Sequence, residues 1–143
     1  KVTYLNPAFT ETFGWNLGEL QGKRIPYVPP GLEQETSEII EKLLKEKALL
    51  RHETKRLTKD GRILDVILRG TVYSEEEGEQ GGQLVILRDI SKEKRMARTN
   101  EALLRISMAL PAYPDLEDLL DYITIEIKRL LNTEGAVVIL LDE

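Results

Sequence analysis

The part of the sequence that most constrains the fold is residues 57–91, where two turns separate segments with the composition of β-strands. The first turn, Lys-Asp-Gly-Arg at residues 59–62, contains an Asp-Gly pair, and glycine supplies the positive φ that a tight hairpin needs. Residues 63–73 are rich in β-branched side chains, which suit a pleated sheet. Residues 84–87 are apolar at every position, which predicts a strand covered on both faces.

Two further strands complete this predicted antiparallel sheet, and an acidic loop joins its last two strands. Residues 49–58 predict a strand of mixed charge that leads into the hairpin, and residues 2–5 predict a short strand near the start of the chain. The loop at residues 74–82 carries four glutamates, which keep it solvated. Strands rather than isolated turns are therefore expected over much of the first ninety residues.

Capping residues predict two short helices between the first strand and the sheet. Asn6 and Pro7 fit the N-cap and the first position of a helix, and Gly14 fits the residue just past its end. Asn16 and Glu19 have the spacing of a capping box for a second helix. Helices this short do not persist alone, so we expect packing to hold them.

A longer amphipathic helix is predicted over residues 33–47. Acidic residues begin this segment and lysines end it, which suits the helix dipole. Its apolar positions are expected to share one face, and they are Ile39, Ile40, Leu43 and Leu44.

The predicted sheet leads directly into a charged helix over residues 92–110, through the tripeptide Asp89, Ile90 and Ser91. Asp89 or Ser91 is expected to cap this helix, because both residue types accept hydrogen bonds from free helix amides. The helix also carries apolar residues with the a/d spacing of a coiled coil over about two heptads. This predicted dimer seam consists of Met96, Thr99, Leu103, Ile106 and Leu110.

The last part of the chain predicts a helix and a strand. Prolines at 111 and 114 end the preceding helix, and residues 115–132 have an amphipathic pattern. Residues 136–141 form an apolar, strand-like segment. So short a piece cannot bury its own apolar surface, which makes it a fragment of something larger.

Composition excludes several classes of function. The chain has 143 residues with a net charge of −5, so no basic surface favours nucleic acid as a partner. No apolar run is long enough to insert into a bilayer. The chain has no cysteine and one histidine, which removes thiolate and histidine-rich metal sites and fits a reducing, cytoplasmic location.

Five short segments resemble PAS sensor domains in identity and order, over roughly residues 1–92. They are Tyr-Leu-Asn-Pro-Ala-Phe at 4–9, Phe-Gly-Trp at 13–15, Glu-Leu-Gln-Gly at 19–22, Lys-Asp-Gly-Arg at 59–62 and Asp-Ile-Ser-Lys-Glu-Lys at 89–94. The resemblance implies an α+β fold: a five-stranded antiparallel sheet with short helices on one face that enclose a small pocket. The family's first strand has no counterpart at the start of this chain.

The resemblance also implies how the chain is organised. Residues 1–91 would be the PAS domain, residues 92–110 a signalling helix that forms a coiled coil, and residues 111–143 resemble the start of a GAF domain. We hypothesise that residues 136–141 pair with the edge that the absent first strand leaves open, in the same chain or in a partner. The alternative is that this segment belongs to a domain extending beyond the chain.

The implied pocket would lie between the helices and the even-numbered strand positions, if those positions point inward. Its candidate residues are Phe9, Phe13, Trp15, Tyr27, Ile40, Leu43, Leu44, Val66, Leu68, Val72, Leu84 and Ile86. The inward positions carry no polar group, which favours a small apolar ligand or a filled core without ligand.

Catalysis and cofactor chemistry have no support in the sequence. It contains no phosphate-binding glycine loop, nucleophile elbow or ordered catalytic triad. A flavin adduct would need a cysteine, and haem would need a histidine on the predicted helix at 33–47; neither is present. His52 is interpreted as a surface residue, and Glu19 as a capping residue or an ion-pair partner of Lys23 or Arg69.

The resemblance therefore implies a non-catalytic sensory and dimerisation module of a larger signalling protein, most often a histidine kinase. A change in the pocket or sheet would pass to the exit helix of a homodimer and on to output domains in the parent chain. Two alternatives remain open: a ligand-free structural dimerisation spacer, and a sensor that binds flavin or haem. The parent could instead be a diguanylate cyclase or a transcription regulator.

Overall fold

The computed structural model of the protein describes residues 1–73, 81–137 and 139. It divides into two compact units, Lys1–Ser91 and Lys92–Glu143. The helices are α1 (Pro7–Phe13), α2 (Leu17–Leu20), α3 (Glu33–Glu46), α4 (Ser91–Ala109) and α5 (Leu116–Leu131), and the strands are β1 (Ala48–Leu57), β2 (Ile63–Tyr73) and β3 (Gly82–Asp89). The predicted α+β class is confirmed.

The three strands form an antiparallel sheet in the order β1-β2-β3, as the hairpin pattern predicts. Gly61 has a φ of 86°, and the Thr58 amide donates to the Arg62 carbonyl at 2.8 Å to close the first turn. The predicted strand at residues 2–5 is reduced to one parallel bridge between Val2 and Gln21. Most of the predicted acidic loop, residues 74–80, lies outside the described residues.

The caps of α1 and α2 are those that the sequence predicts. The Asn6 side chain accepts from the Phe9 amide at 2.9 Å, and Gly14 ends α1 with a φ of 78°. In α2, Asn16 and Glu19 form both halves of the capping box. Both short helices therefore begin where a side chain satisfies a free amide, and Gly14 ends the first of them.

One face of the sheet is covered by helices. Leu68 packs with Ile39 and Leu43 of α3, and a second cluster joins Val66 to Phe13. Leu87 packs against both clusters, which makes them one continuous core.

The prediction that Ile40 and Leu44 line the interior is wrong, because both side chains are about half exposed. Ile39 and Leu43 lie four residues apart and share the buried stripe of α3. Each neighbouring residue lies about 100° further round the helix, which turns Ile40 and Leu44 away from the sheet.

The inward orientation predicted for Leu84 and Ile86 is also wrong. Their side chains are 52% and 56% exposed. Residues directly opposite each other in an antiparallel pair point to the same face, and the core residue Leu68 lies opposite Leu87. Odd-numbered residues of β3 therefore face the core, and the strand is not covered on both faces by the described residues of its unit.

In the second unit, α4 and α5 pack through a charged contact. Ala102 is buried, and Glu126, only 4% exposed, accepts from Arg105 at 2.7 Å. Residues 136, 137 and 139 have no strand assignment, and the rest of the predicted strand at 136–141 lies outside the described residues.

Candidate functional site

The interior face of the sheet collects most of the predicted pocket residues. Those that are buried or half-buried are Phe9, Phe13, Trp15, Tyr27, Leu43, Val66, Leu68 and Val72. Phe9 and Phe13 stack with ring centroids 4.8 Å apart. These side chains pack against one another as a core, and their role in binding a ligand stays a prediction.

The same face also carries polar side chains, which contradicts the expectation of a wholly apolar interior. Arg56 of β1 is only 1% exposed, and Thr54 and Thr58 beside it are buried. The Arg56 Nη1 donates to Thr54 Oγ1 at 3.1 Å and to the Lys55 carbonyl at 2.7 Å. The guanidinium carbon lies 5.1 Å from the centroid of the Tyr27 ring.

A second polar contact joins α3 to β1. The Glu35 carboxylate lies 3.1 Å from Nε2 of His52. A hydrogen bond from Thr54 and a second one from His52 lower the pKa of Glu35 below its ordinary value. His52, interpreted from the sequence as an ordinary surface residue, is half-buried and holds α3 to the edge strand.

Glu19 has a partner that the sequence analysis missed. Its carboxylate binds the Lys59 ammonium from the hairpin turn, and this hydrogen bond is the main cause of its lowered pKa. Of the bases named in the sequence analysis, Lys23 donates to the Glu19 backbone carbonyl at 2.7 Å, and its charge also lowers the pKa of Glu19. Arg69 instead lines the outer face of the sheet. Lys59 also lies 5.5 Å from the Trp15 ring centroid, so it joins the turn to both short helices.

The predicted exit, Asp89, Ile90 and Ser91, is tied to the central strand. The buried Ile90 donates its amide to the Asp65 carbonyl at 2.9 Å. The Asp65 amide in turn donates to the Ser91 hydroxyl at 2.9 Å. The Asp89 carboxylate accepts from the Ser91 amide at 2.8 Å, so Asp89 satisfies the helix amide while the Ser91 side chain holds β2.

The predicted seam lies largely on exposed surface of α4. Met96, Leu103 and Leu110 are exposed apolar residues, Thr99 is exposed, and Ile106 is half-buried. Their association with a second copy stays a prediction.

The outer face of the sheet has a shallow groove of about 580 Å³. It contains Leu84 and Ile86 together with Leu50, Arg69 and Thr71. The two β3 residues predicted for the interior pocket therefore belong to a different surface, on the side of the sheet away from α3.

Residues 1–73, 81–137 and 139 contain no cluster of three or more histidine or acidic side chains that could hold a metal ion. In the same residues, no helix is both long and apolar enough to cross a membrane.

Comparison with known proteins agrees with this geometry. The model of the PAS fold family matches residues 1–90, and the chain belongs to this family. A sensory box histidine kinase/response regulator from Burkholderia thailandensis E264 has a similar structure, with 22% sequence identity and a TM-score of 0.50. The similarity covers 76% of this chain and 80% of that chain, and it shows the fold alone. No curated protein matches the chain.

Proposed function

We propose that this chain is a non-catalytic sensory module of a cytoplasmic, multidomain signalling protein, and that it acts as a homodimer. The observation that carries the proposal is the junction at the end of the sheet. Two hydrogen bonds join Asp65 of the central strand to Ile90 and Ser91, at the start of α4. A shift of β2 at Asp65 would therefore act directly on Ile90 and Ser91, where α4 begins.

The exposed seam on α4 supports the dimer. Met96 and Leu103 are more than half exposed, although their spacing is that of residues buried between paired helices. Pairing would bury them and let a change at the junction alter the register of two helices together. Residues 111–143 would then begin a GAF domain, with the amphipathic α5 (Leu116–Leu131) as its first described helix.

A histidine kinase is the proposed parent class, with a diguanylate cyclase or a transcription regulator as alternatives. The similar Burkholderia structure is that of a sensory box histidine kinase/response regulator, which describes that protein and supports this choice of class. The domains that follow in the parent chain would decide between these classes.

The dimer is tested by adding charge to the seam. Leu103→Asp with Ile106→Asp is expected to turn a dimer into a monomer in sedimentation velocity, because two buried charges would face their copies. The matched control is Leu104→Asp with Met108→Asp, two exposed apolar residues of the same helix outside the seam. A monomeric wild type, or a dimer that survives the seam change, would contradict the proposal.

Two measurements test the alternative functions, a sensor that binds flavin or haem and a ligand-free structural spacer. A visible absorbance band in freshly purified protein would indicate bound flavin or haem, and we expect none. Native mass spectrometry would show a stoichiometric small molecule as added mass, whereas a structural spacer with a filled core would show the polypeptide mass alone.

A further inference from the structure

The only histidine of the chain, His52, joins a helix to the edge of the sheet. Its Nε2 lies 3.1 Å from a carboxylate oxygen of Glu35, so a side chain of β1 binds a side chain of α3. The two side chains are 35% and 36% exposed, which leaves the imidazole able to exchange a proton with solvent. The contact therefore contains a titratable group at a junction between two elements.

The start of α3 depends on contacts of this kind. The residue before the helix is Leu32, and its side chain cannot cap the free amides of the first turn. Glu35 lies in that turn and accepts hydrogen bonds from both Thr54 and His52 of β1. These two β1 residues are two positions apart and therefore share one face of the strand. Glu35 thus attaches the uncapped turn to the edge of the sheet.

The charges around His52 come from α3 and from β1 itself. Glu35 faces it from α3 at hydrogen-bond distance, and Arg56 on the same face of β1 acts on this pair through space. On β2 the residue opposite His52 is the uncharged Leu68. The residues on either side of His52 form an ion pair with each other at 2.6 Å. Glu35 therefore favours a positive charge on the imidazole by direct contact, and Arg56 opposes it from further away.

We propose that the contact between Glu35 and His52 is a pH-dependent switch, which holds the start of α3 more tightly to β1 when His52 is protonated. A neutral imidazole offers the carboxylate an ordinary hydrogen bond. An imidazolium offers a charge-assisted hydrogen bond, which is roughly twice as strong. Histidine is the side chain whose ordinary pKa, about 6.5, lies in the neutral range, so a small change of pH there changes the strength of the contact.

The contact is strongest over a defined range of pH. Hydrogen bonds from Thr54 and His52 lower the pKa of Glu35 below its ordinary value of 4.5, so its carboxylate stays ionised in mildly acidic solution. The stability that this carboxylate contributes is present above 4.5 and is lost as pH falls through the lower folded-state value. As pH rises through the range in which histidine titrates, the imidazolium is lost instead. Both charges are therefore present only in mildly acidic solution.

A double-mutant cycle at two pH values measures this change. The wild type, Glu35→Gln, His52→Gln and the double variant are unfolded in urea near pH 5.5 and near pH 8, at one ionic strength. We expect the coupling between the two residues, as a ratio of unfolding constants, to be at least about threefold larger near pH 5.5. The matched control is a cycle of Arg51→Gln and Glu53→Gln, an ion pair of the same strand whose residue types keep their charges over this range. Its coupling should be the same at both pH values.

Amide hydrogen exchange of the wild type gives a second test that needs no variant. The Thr36 amide donates to the Leu32 carbonyl at 3.0 Å and so reports on the first turn of α3. Its protection factor should be about threefold higher near pH 5.5 than near pH 8, relative to amides in the middle of β2. The proposal is overturned if the Glu35–His52 coupling is equal at both pH values or larger near pH 8. A control cycle that changes equally, or an unchanged protection factor at Thr36, would also overturn it.

The outcomes for this switch and for the proposed function are distinguishable. As a stimulus of the sensory module, protonation rests on the proposed function, but the contact itself lies within the unit Lys1–Ser91 and needs no second copy. A monomer with a pH-dependent coupling would retain the switch and refute the proposed dimer. A dimer with the same coupling at both pH values would refute the switch and leave the dimeric module standing.

Discussion

Replacing Ser91 by alanine tests the junction between sheet and helix. The Ser91 hydroxyl accepts a hydrogen bond from the Asp65 amide at 2.9 Å. Asp65 lies one residue before Val66, the first residue of β2 that pairs with β3. Ser91 is half-buried, so water cannot fully replace the lost hydroxyl. We expect Ser91→Ala to weaken the attachment of α4 to the central strand while the Ile90 amide still holds the Asp65 carbonyl.

The magnitude follows from the loss of a single neutral hydrogen bond. Such a bond contributes about 1 kcal/mol to the free energy of unfolding. For a unit the size of Lys1–Ser91, that loss lowers the melting temperature by about 4–8 °C. Ser91→Thr keeps the hydroxyl and should recover most of the difference.

Thermal unfolding and amide hydrogen exchange together measure this effect. The Asp65 amide should exchange faster in Ser91→Ala, while amides in the middle of β2 keep their protection. Ser107→Ala is the control, because Ser107 is an exposed serine of the same helix. An unchanged melting temperature and unchanged Asp65 exchange in Ser91→Ala would refute the junction as a mechanical link.

Three other perturbations test the core and the short helices of the unit Lys1–Ser91. Phe13→Ala should lower the free energy of unfolding in urea by about 3–5 kcal/mol, because Phe13 is buried in the core; a change below about 1 kcal/mol would contradict that packing. Gly14→Ala should lower the free energy of unfolding by about 1–2 kcal/mol, because Gly14 has a φ of 78° and an added Cβ would lie 3.2 Å from the Cβ of Lys59. Gly18→Ala is the control and should lower it by less. The lowered pKa of Glu19 means that its ion pair stabilises the fold above the ordinary pKa of 4.5, and this contribution is lost as pH falls through the lower folded-state value. The difference in melting temperature between wild type and Lys59→Met should therefore shrink on acidification; a constant difference would show that Lys59 acts without Glu19.

Local chemistry made the helix caps and the hairpin predictable. Asn6, Gly14 and Gly61 each act within a few residues of their own position, so the sequence contains all the information that fixes them. The pairing of Glu19 with Lys59 could not be obtained in this way, because forty positions separate the two residues. Only the folded arrangement of α2 against the hairpin turn brings them together.

The two faces of the sheet show where reasoning from position alone succeeds and where it fails. A tight turn joins β1 to β2, and even-numbered Thr54 lies opposite even-numbered Val66, so counting alternate residues predicts the inner face of both strands. The longer connection before β3 breaks this parity, because Leu68 lies opposite Leu87. Loop length alone does not fix register, which is why Leu84 and Ile86 were assigned to the wrong face.

Arg56 was missed for a different reason. Alternate counting along β1 places it inward with Thr54, but a charged residue is almost never fully buried unless it is paired. The charge of Arg56 therefore argues against the inward orientation that the strand geometry requires. The conflict between strand parity and charge at Arg56 was visible in the sequence.

The buried arginine and the exit helix are connected through the sheet. Arg56 donates to the Lys55 carbonyl, and Lys55 lies opposite Asp65 in the pairing of β1 with β2. Asp65 then binds both Ile90 and Ser91 at the start of α4. Arg56 and the start of α4 therefore act on directly paired residues of β1 and β2. Contacts alone do not show that the two ends are coupled, so coupling requires Arg56→Met and Ser91→Ala to change the exchange of the Asp65 amide non-additively.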